Sequence, residues 1–244
     1  MAENIEVKLP NVRLSFFHGF KPQERRDDKT KELTGYNYNT AILLDKKTQA
    51  DLITKIKEAM KAARESEWGD TPPRIPAERL CLRDGEPIDP DTVDPDVAGS
   101  GTKVALYDGY AGQMVLAANR VISIEDYEAI KKGQKDRPVT IIGPRKGANG
   151  KFAILAENSE FAPYSGCYAN VIVRIYPLNK GDYPARINAS LEAVQFRAHG
   201  ERFGGAGPID ADSAFDEVEG FDDMDTGGDA GAKTAAPVDD DMLA

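Results

Sequence analysis

Apolar and polar residues alternate along Ile5–Phe17, with Val12, Leu14 and Phe16 on one face and Arg13, Ser15 and Phe17 on the other. A period of two marks a strand with one buried face. Tyr36–Leu44 (YNYNTAILL) repeats it, placing Tyr36, Tyr38, Thr40 and Ile42 on a common face. Between these strands, residues 18–35 are charged and turn-rich and predict a long exposed loop. The period then changes. Leu52, Ile56, Ala59, Met60 and Ala63 fall on one stripe of a helix, with Lys55, Lys57 and Lys61 off it. Thr48 is the expected N-cap, with Asp51 three residues on as a weak capping box, and the helix fades before Trp68-Gly69.

Residues 71–101 are rich in Pro and Asp. Proline cannot donate to a strand ladder, so a central strand is not expected there, and a loop of this length in a compact domain usually has a job. Lys103–Tyr107 and Gln113–Ile122 read as paired strands around Asp108-Gly109. Ser123 caps a short helix through Tyr127 and Ile130 that stops at Gly133. Val139–Ile142, Phe152–Leu155, Cys167–Tyr176 and Arg186–Phe196 are strands separated by Gly, Pro and Asn turns. The pattern has no internal repeat. It predicts a mainly β chain with one or two helices (α+β), folded as a small antiparallel barrel with long insertions.

The alternation stops near Gly205. Pro208–Ala244 holds twelve Asp or Glu residues against one cation, Lys233. The whole chain has 31 Lys and Arg and 41 Asp and Glu, so removing this segment leaves 30 against 29. The acidic balance therefore belongs to a C-terminal tail and not to the body. Low hydrophobicity with high charge predicts disorder there, and the expected organisation is a domain over residues 1–207 and a disordered acidic tail over 208–244. Two cysteines, Cys81 and Cys167, without a C-x-x-C pair suit a reducing cytosol. No apolar run approaches the length of a membrane span and no signal pattern follows Met1, so a cytoplasmic protein with no membrane partner is expected.

Catalytic patterns fail. Two histidines and two scattered cysteines give no metal-site spacing, so no metal and no cofactor are expected. Gly143–Lys151 (GPRKGANGK) lacks the spacing of a phosphate-binding P-loop, and no G-x-S-x-G turn is present. The chain is not expected to be an enzyme.

The strand faces carry more. In Cys167–Tyr176 one face is Cys167, Ala169, Val171, Val173 and Ile175, apolar and small enough for a barrel interior. The other is Tyr168, Asn170, Ile172, Arg174 and Tyr176. Rings, an amide and a guanidinium on an open face suit single-stranded nucleic acid, whose bases stack on aromatics while cations meet the phosphates. By the same logic Tyr36 and Tyr38, and Tyr107 and Tyr110 near Lys103, are candidate contacts, as are Arg145, Lys146 and Lys151 in a mobile basic segment. A solvated outer face, with tyrosines packed under a neighbouring loop, is the competing reading of each.

Two segments also resemble a known family. Tyr164–Leu178 (YSGCYANVIVRIYPL) and Arg186–Gly205 (RINASLEAVQFRAHGERFGG) are similar to the signature of a phage single-stranded DNA-binding protein family, long catalogued as a domain of unknown function. The shared pieces are an early strand ending near Leu14–Phe17, Y-S-G-C-Y, L-x-x-V-Q at Leu191–Gln195, and the G-E-R-F-G-G close. The resemblance implies an OB-fold barrel that coats single-stranded DNA in phage replication or recombination, in the cytoplasm of an infected bacterium. It also implies an acidic tail that competes for the DNA site or recruits replication or recombination proteins. The tail closes on Met242 and Leu243 after the Asp239–Asp241 run, with Pro237 before that run; the acidic tips of bacterial single-stranded DNA-binding proteins instead end on an apolar residue after a proline. An accessory protein acting through protein–protein contacts alone is the alternative. Exposed barrel edges allow a homodimer.

Overall fold

The computed structural model describes residues 5–85, 109–179 and 184–203. The expected strand at Lys103–Tyr107 and the whole acidic tail lie outside the described residues, as does the boundary expected after residue 207.

Nine strands and two helices follow in the order β1 (Ile5–Ser15), β2 (Gln23–Arg26), β3 (Leu33–Asp45), α1 (Ala50–Trp68), β4 (Leu82–Asp84), β5 (Gln113–Ile122), α2 (Ile124–Lys131), β6 (Thr140–Lys146), β7 (Phe152–Ile154), β8 (Tyr168–Leu178) and β9 (Arg186–Ala198). Five of these strands close a ring. β3 pairs antiparallel with β1 and β5, β1 pairs with β8, and β8 pairs with β9. β9 returns to β5 in parallel at Ala118 and Ala189. This circuit, with one parallel seam in an otherwise antiparallel ring, is the OB-like barrel expected from the sequence. β4 extends the β5 edge, and β6 with β7 extends β9.

The interior follows the sequence alternation. Cys167, just before β8, and Ala169, Val171, Val173 and Ile175 within it are all at most 1% exposed, against half-buried Tyr168, Asn170, Ile172, Arg174 and Tyr176. Val7, Leu9, Val12 and Leu14 of β1 join them in one core with Leu116 and Ala118 of β5. Each large apolar side chain so buried stabilises the fold by about 1.5–3 kcal/mol. Pro10, which has no amide to donate, falls where the β1–β8 register shifts between Leu9 and Val12. Asn11 is left-handed there (φ 51°), and its amide donates to Asn170 Oδ1 at 3.0 Å.

α1 buries Ile53, Ile56, Ala59 and Ala63 against the core, with Leu52 and Met60 at the border of the stripe. Its start differs from expectation. Gln49, not Thr48, occupies the N-cap position and makes no side-chain cap. Asp45 instead gathers the preceding turn, accepting from the amides of Lys47 and Thr48 and from the Thr48 hydroxyl at 2.7–2.9 Å. The Thr48 amide bond is the main cause that holds the Asp45 carboxyl below its ordinary value. α2 begins as its sequence predicts: Ser123 Oγ accepts from the Asp126 amide at 3.0 Å, and Gly133 beyond the end is left-handed.

One strand was not foreseen. β2 lies inside the expected loop and pairs with β3 through Gln23–Asn37 and its neighbours. All four of its residues are exposed, so it has no buried face and leaves no alternation to read. Thr71–Asp84 carries no central strand but a 3-10 turn at Ala77–Arg79, a single bridge from Leu80 to Ile187 and the three-residue edge strand β4; residues 86–101 of the expected loop lie outside the described residues.

Candidate nucleic-acid interface

Where β9 leaves β5 it takes a new parallel neighbour, β6, through Thr140–Ala193 and the two pairs that follow. The barrel wall therefore splits beyond Ala118–Ala189. Arg120 bridges the split, its Nη1 donating to Ser190 Oγ and to Glu192 Oε1, both at 3.1 Å. The groove beside this seam has a volume of about 500 Å³ and is bordered by Asn119–Ile122, by Asp126 and Ile130 of α2, by Lys135, Asp136 and Pro138, and by Arg174 and Tyr176 of β8. Val121, 50% exposed, forms an apolar lip.

The electrostatics of this groove are balanced. Arg120 pairs with Glu192, and Lys135 pairs with Asp126 at 2.6 Å, which holds the Asp126 carboxyl low chiefly through that hydrogen bond. Asp136 adds a further acid. Arg174 is the cation of the groove with no ion-pair partner among the described residues. It stands beside Tyr176 on the outer face of β8, so this pair offers a ring and a guanidinium together.

The other sequence candidates scatter. Tyr38 is a correction: it is 1% exposed and sealed inside the barrel, because its face of β3, shared with Thr40 and Ile42, is the inner one. Burial pushes its phenol up from the ordinary value. Tyr110 is likewise interior, 5% exposed, and has no face for a base. Tyr36 sits at the rim of the same inner face and stacks on Tyr127 of α2, centroids 3.8 Å apart, so one side of its ring is already covered. Tyr168 faces outward as expected, but Arg13 lies 5.8 Å from its ring and the segment after β9 packs beside it. Arg145, Lys146 and Lys151 are exposed on the β6–β7 ribbon and do not border the seam groove. Lys146 stands 5.5 Å from the Phe152 ring. Lys103 and Tyr107 lie outside the described residues.

Sequence reasoning missed Arg120. Its signal was present: it follows Ala118 and precedes Ile122 in the inward phase of β5, where a charge demands a partner. On the outer face of β3 and β5, a row of amides joins three strands, Asn37 to Asn119 at 3.1 Å and Asn39 to Gln23 at 2.9 Å.

The two signature motifs form a strap. Gly166 and Gly200 pack so closely that a Cβ on either would strike the backbone of the other segment. The Tyr164 hydroxyl donates to the Gly200 carbonyl at 2.9 Å and accepts from its amide at 3.1 Å. Arg13 of β1 binds both sides, donating to the carbonyls of Gly166 at 3.1 Å and Glu201 at 3.0 Å, with its guanidinium 4.0 Å from the Phe203 ring. These bonds fasten Gly200 and Glu201 to the barrel. Both cysteines are free and buried, and burial pushes the thiols up to about 12 for Cys81 and about 11 for Cys167.

Among the described residues no group of His, Cys, Asp or Glu could hold a metal ion, and no helix is long and apolar enough to cross a membrane. No curated protein is similar enough in sequence to match. The single-stranded DNA-binding protein of bacteriophage Enc34 has a similar structure: 19% identity, TM-score 0.54, covering 88% of this chain and 96% of that one. The same phage protein in complex with ssDNA gives 20% identity and TM-score 0.53 over 84% of this chain and 95% of that one. Its C-terminal truncation gives 20% identity and TM-score 0.52 over 81% and 88%. The family described as the ssDNA-binding protein of Enterobacter phage Enc34 matches residues 5–225, nearly the whole body and half the tail, and the chain belongs to that family.

Proposed function

We propose that this chain binds single-stranded DNA without strong sequence preference and coats it during phage replication or recombination. The observation that carries the reading is the family match over residues 5–225, on a barrel of the kind that binds single strands on its outer face. Stacking on Tyr176 beside Arg174, hydrogen bonds from the amide row of β3 and β5, and phosphate contacts from Arg145, Lys146 and Lys151 are the proposed interactions. None of these recognises one base pattern to the exclusion of others, which suits a coating protein.

The acidic tail competes with DNA or recruits partners in this reading. Its twelve acids adjoin a body in which Lys and Arg exceed Asp and Glu by one. A chain ending at Gly207 is expected to bind a labelled oligonucleotide more tightly than the full chain at low salt. Equal affinities would remove the tail from the mechanism. No gel shift of any oligonucleotide at micromolar protein would instead favour an accessory role through protein contacts alone.

A further inference from the structure

At the opposite end of β8 from the seam groove lies a second cavity, of about 460 Å³. Its walls come from the β1–β2 connection, from residues 157–165 ahead of β8, and from His199 and Arg202 beyond β9. One wall is a pair of phenyl rings, Phe17 and Phe20, edge to face with centroids 6.0 Å apart. The other is a stack: the Arg202 guanidinium lies 4.0 Å from the Tyr164 centroid, and the His199 ring lies within 23° of parallel to Tyr164 at 5.9 Å. Both histidines of the chain border this cavity, although 181 residues separate them. Each phenyl or phenol ring packs against the core on one side and is left partly uncovered on the other. Here Phe17, Phe20 and Tyr164 are half-buried, and His199 and Arg202 are exposed around a space of the size that small ligands occupy.

The walls are held in place by hydrogen bonds within the protein. Ser165 Oγ accepts from the Phe17 amide at 2.9 Å, the Asn39 carbonyl accepts from the His18 amide at 2.8 Å, and the Tyr164 hydroxyl is fixed on Gly200. Ordering made in advance lowers the cost of binding. The rim distinguishes between ligands. Glu157 is paired with Lys21 at 2.9 Å, while Glu160 has no ion-pair partner among the described residues and neither does Arg202. The two carboxylates and the two cations Lys21 and Arg202 balance at the rim, so the ring-lined interior suits an uncharged aromatic group, with Arg202 at the mouth for an attached phosphate.

We propose that this cavity takes one unstacked nucleobase of a bound single strand, with its sugar-phosphate left at the mouth beside Arg202. The inference rests on the single-stranded DNA reading above and deepens it, adding a base pocket distinct from the seam groove. The test is titration of an oligonucleotide containing 2-aminopurine at alternate positions, whose fluorescence falls on stacking, with the full chain and with Phe20→Leu, His199→Ala and Arg174→Ala. Phe20→Leu keeps apolar bulk against the core, and His199 is exposed, so thermal melts should show both variants folded. The pocket variants are expected to bind roughly tenfold more weakly and to lose part of the quenching, as removal of a stacking ring does. Arg174→Ala, which removes a seam-groove contact and no cavity ring, should itself bind more weakly and yet reach the wild-type quenching at saturation. Folded pocket variants that bind and quench like the wild type overturn the base pocket alone. A wild-type chain that binds no oligonucleotide overturns the DNA reading itself and the pocket with it.

Discussion

The two cavities at the ends of β8 are built from opposite materials. In the seam groove the cations Arg120 and Lys135 are answered by Glu192 and Asp126, leaving Arg174 with no ion-pair partner among the described residues and Tyr176 as its companion ring. The cavity at the Tyr164 end has four rings and a guanidinium stacked on one of them. With the acidic segment set aside, residues 1–207 carry 30 Lys and Arg against 29 Asp and Glu, so that part of the chain has almost no net positive charge to draw on. On the proposed reading, affinity for a single strand draws more on base stacking than on phosphate neutralisation, and the slope of log affinity against log salt is expected to be shallow.

The largest expected effect breaks one end of the comparison. Gly166 is left-handed at φ 109° and touches the Glu201 backbone, so Gly166→Ala both strains the backbone and pushes the strap away. It should cost at least about 3 kcal/mol of stability and dismantle the ring-lined cavity. Urea unfolding measures it; an unchanged midpoint would mean that the strap does not hold that end. Next, Tyr176→Ala should weaken oligonucleotide binding by about 1–3 kcal/mol across all sequences. Unchanged affinity would leave the seam groove without a base contact. The smallest effect sharpens the electrostatic half. Glu192→Gln frees Arg120 at a cost of under about 1 kcal/mol of stability, as expected for a partly exposed pair. DNA binding should strengthen several-fold and the salt slope should steepen by about one. A slope equal to that of the wild type would confine Arg120 to bridging the barrel wall.

Much of the fold was legible in the chain. The five buried side chains of β8, the Ser123 cap and the α1 stripe each follow from interactions over a few residues. β2 was not legible, because a ribbon exposed on both faces has no pattern. The site was less legible than the fold. Period two says that Tyr36, Tyr38, Thr40 and Ile42 share a face, but it does not say which face turns inward. In β3 the tyrosine face is the inner one, so Tyr38 became core. In β8 the ring-bearing face is the outer one, so Tyr176 stayed available.

The amino-acid sequence by itself determined the alternation, the helix stripe, the separation of acidic tail from balanced body, and the motifs that mark the family. Only the tertiary structure decided which tyrosines are sealed, where the barrel wall opens at Arg120, and that Phe17, Tyr164 and His199 border one cavity. The physical reason is range. Propensity, capping and periodicity act between neighbours along the chain, whereas ring closure at Ala118 and Ala189 brings together side chains that no local rule relates.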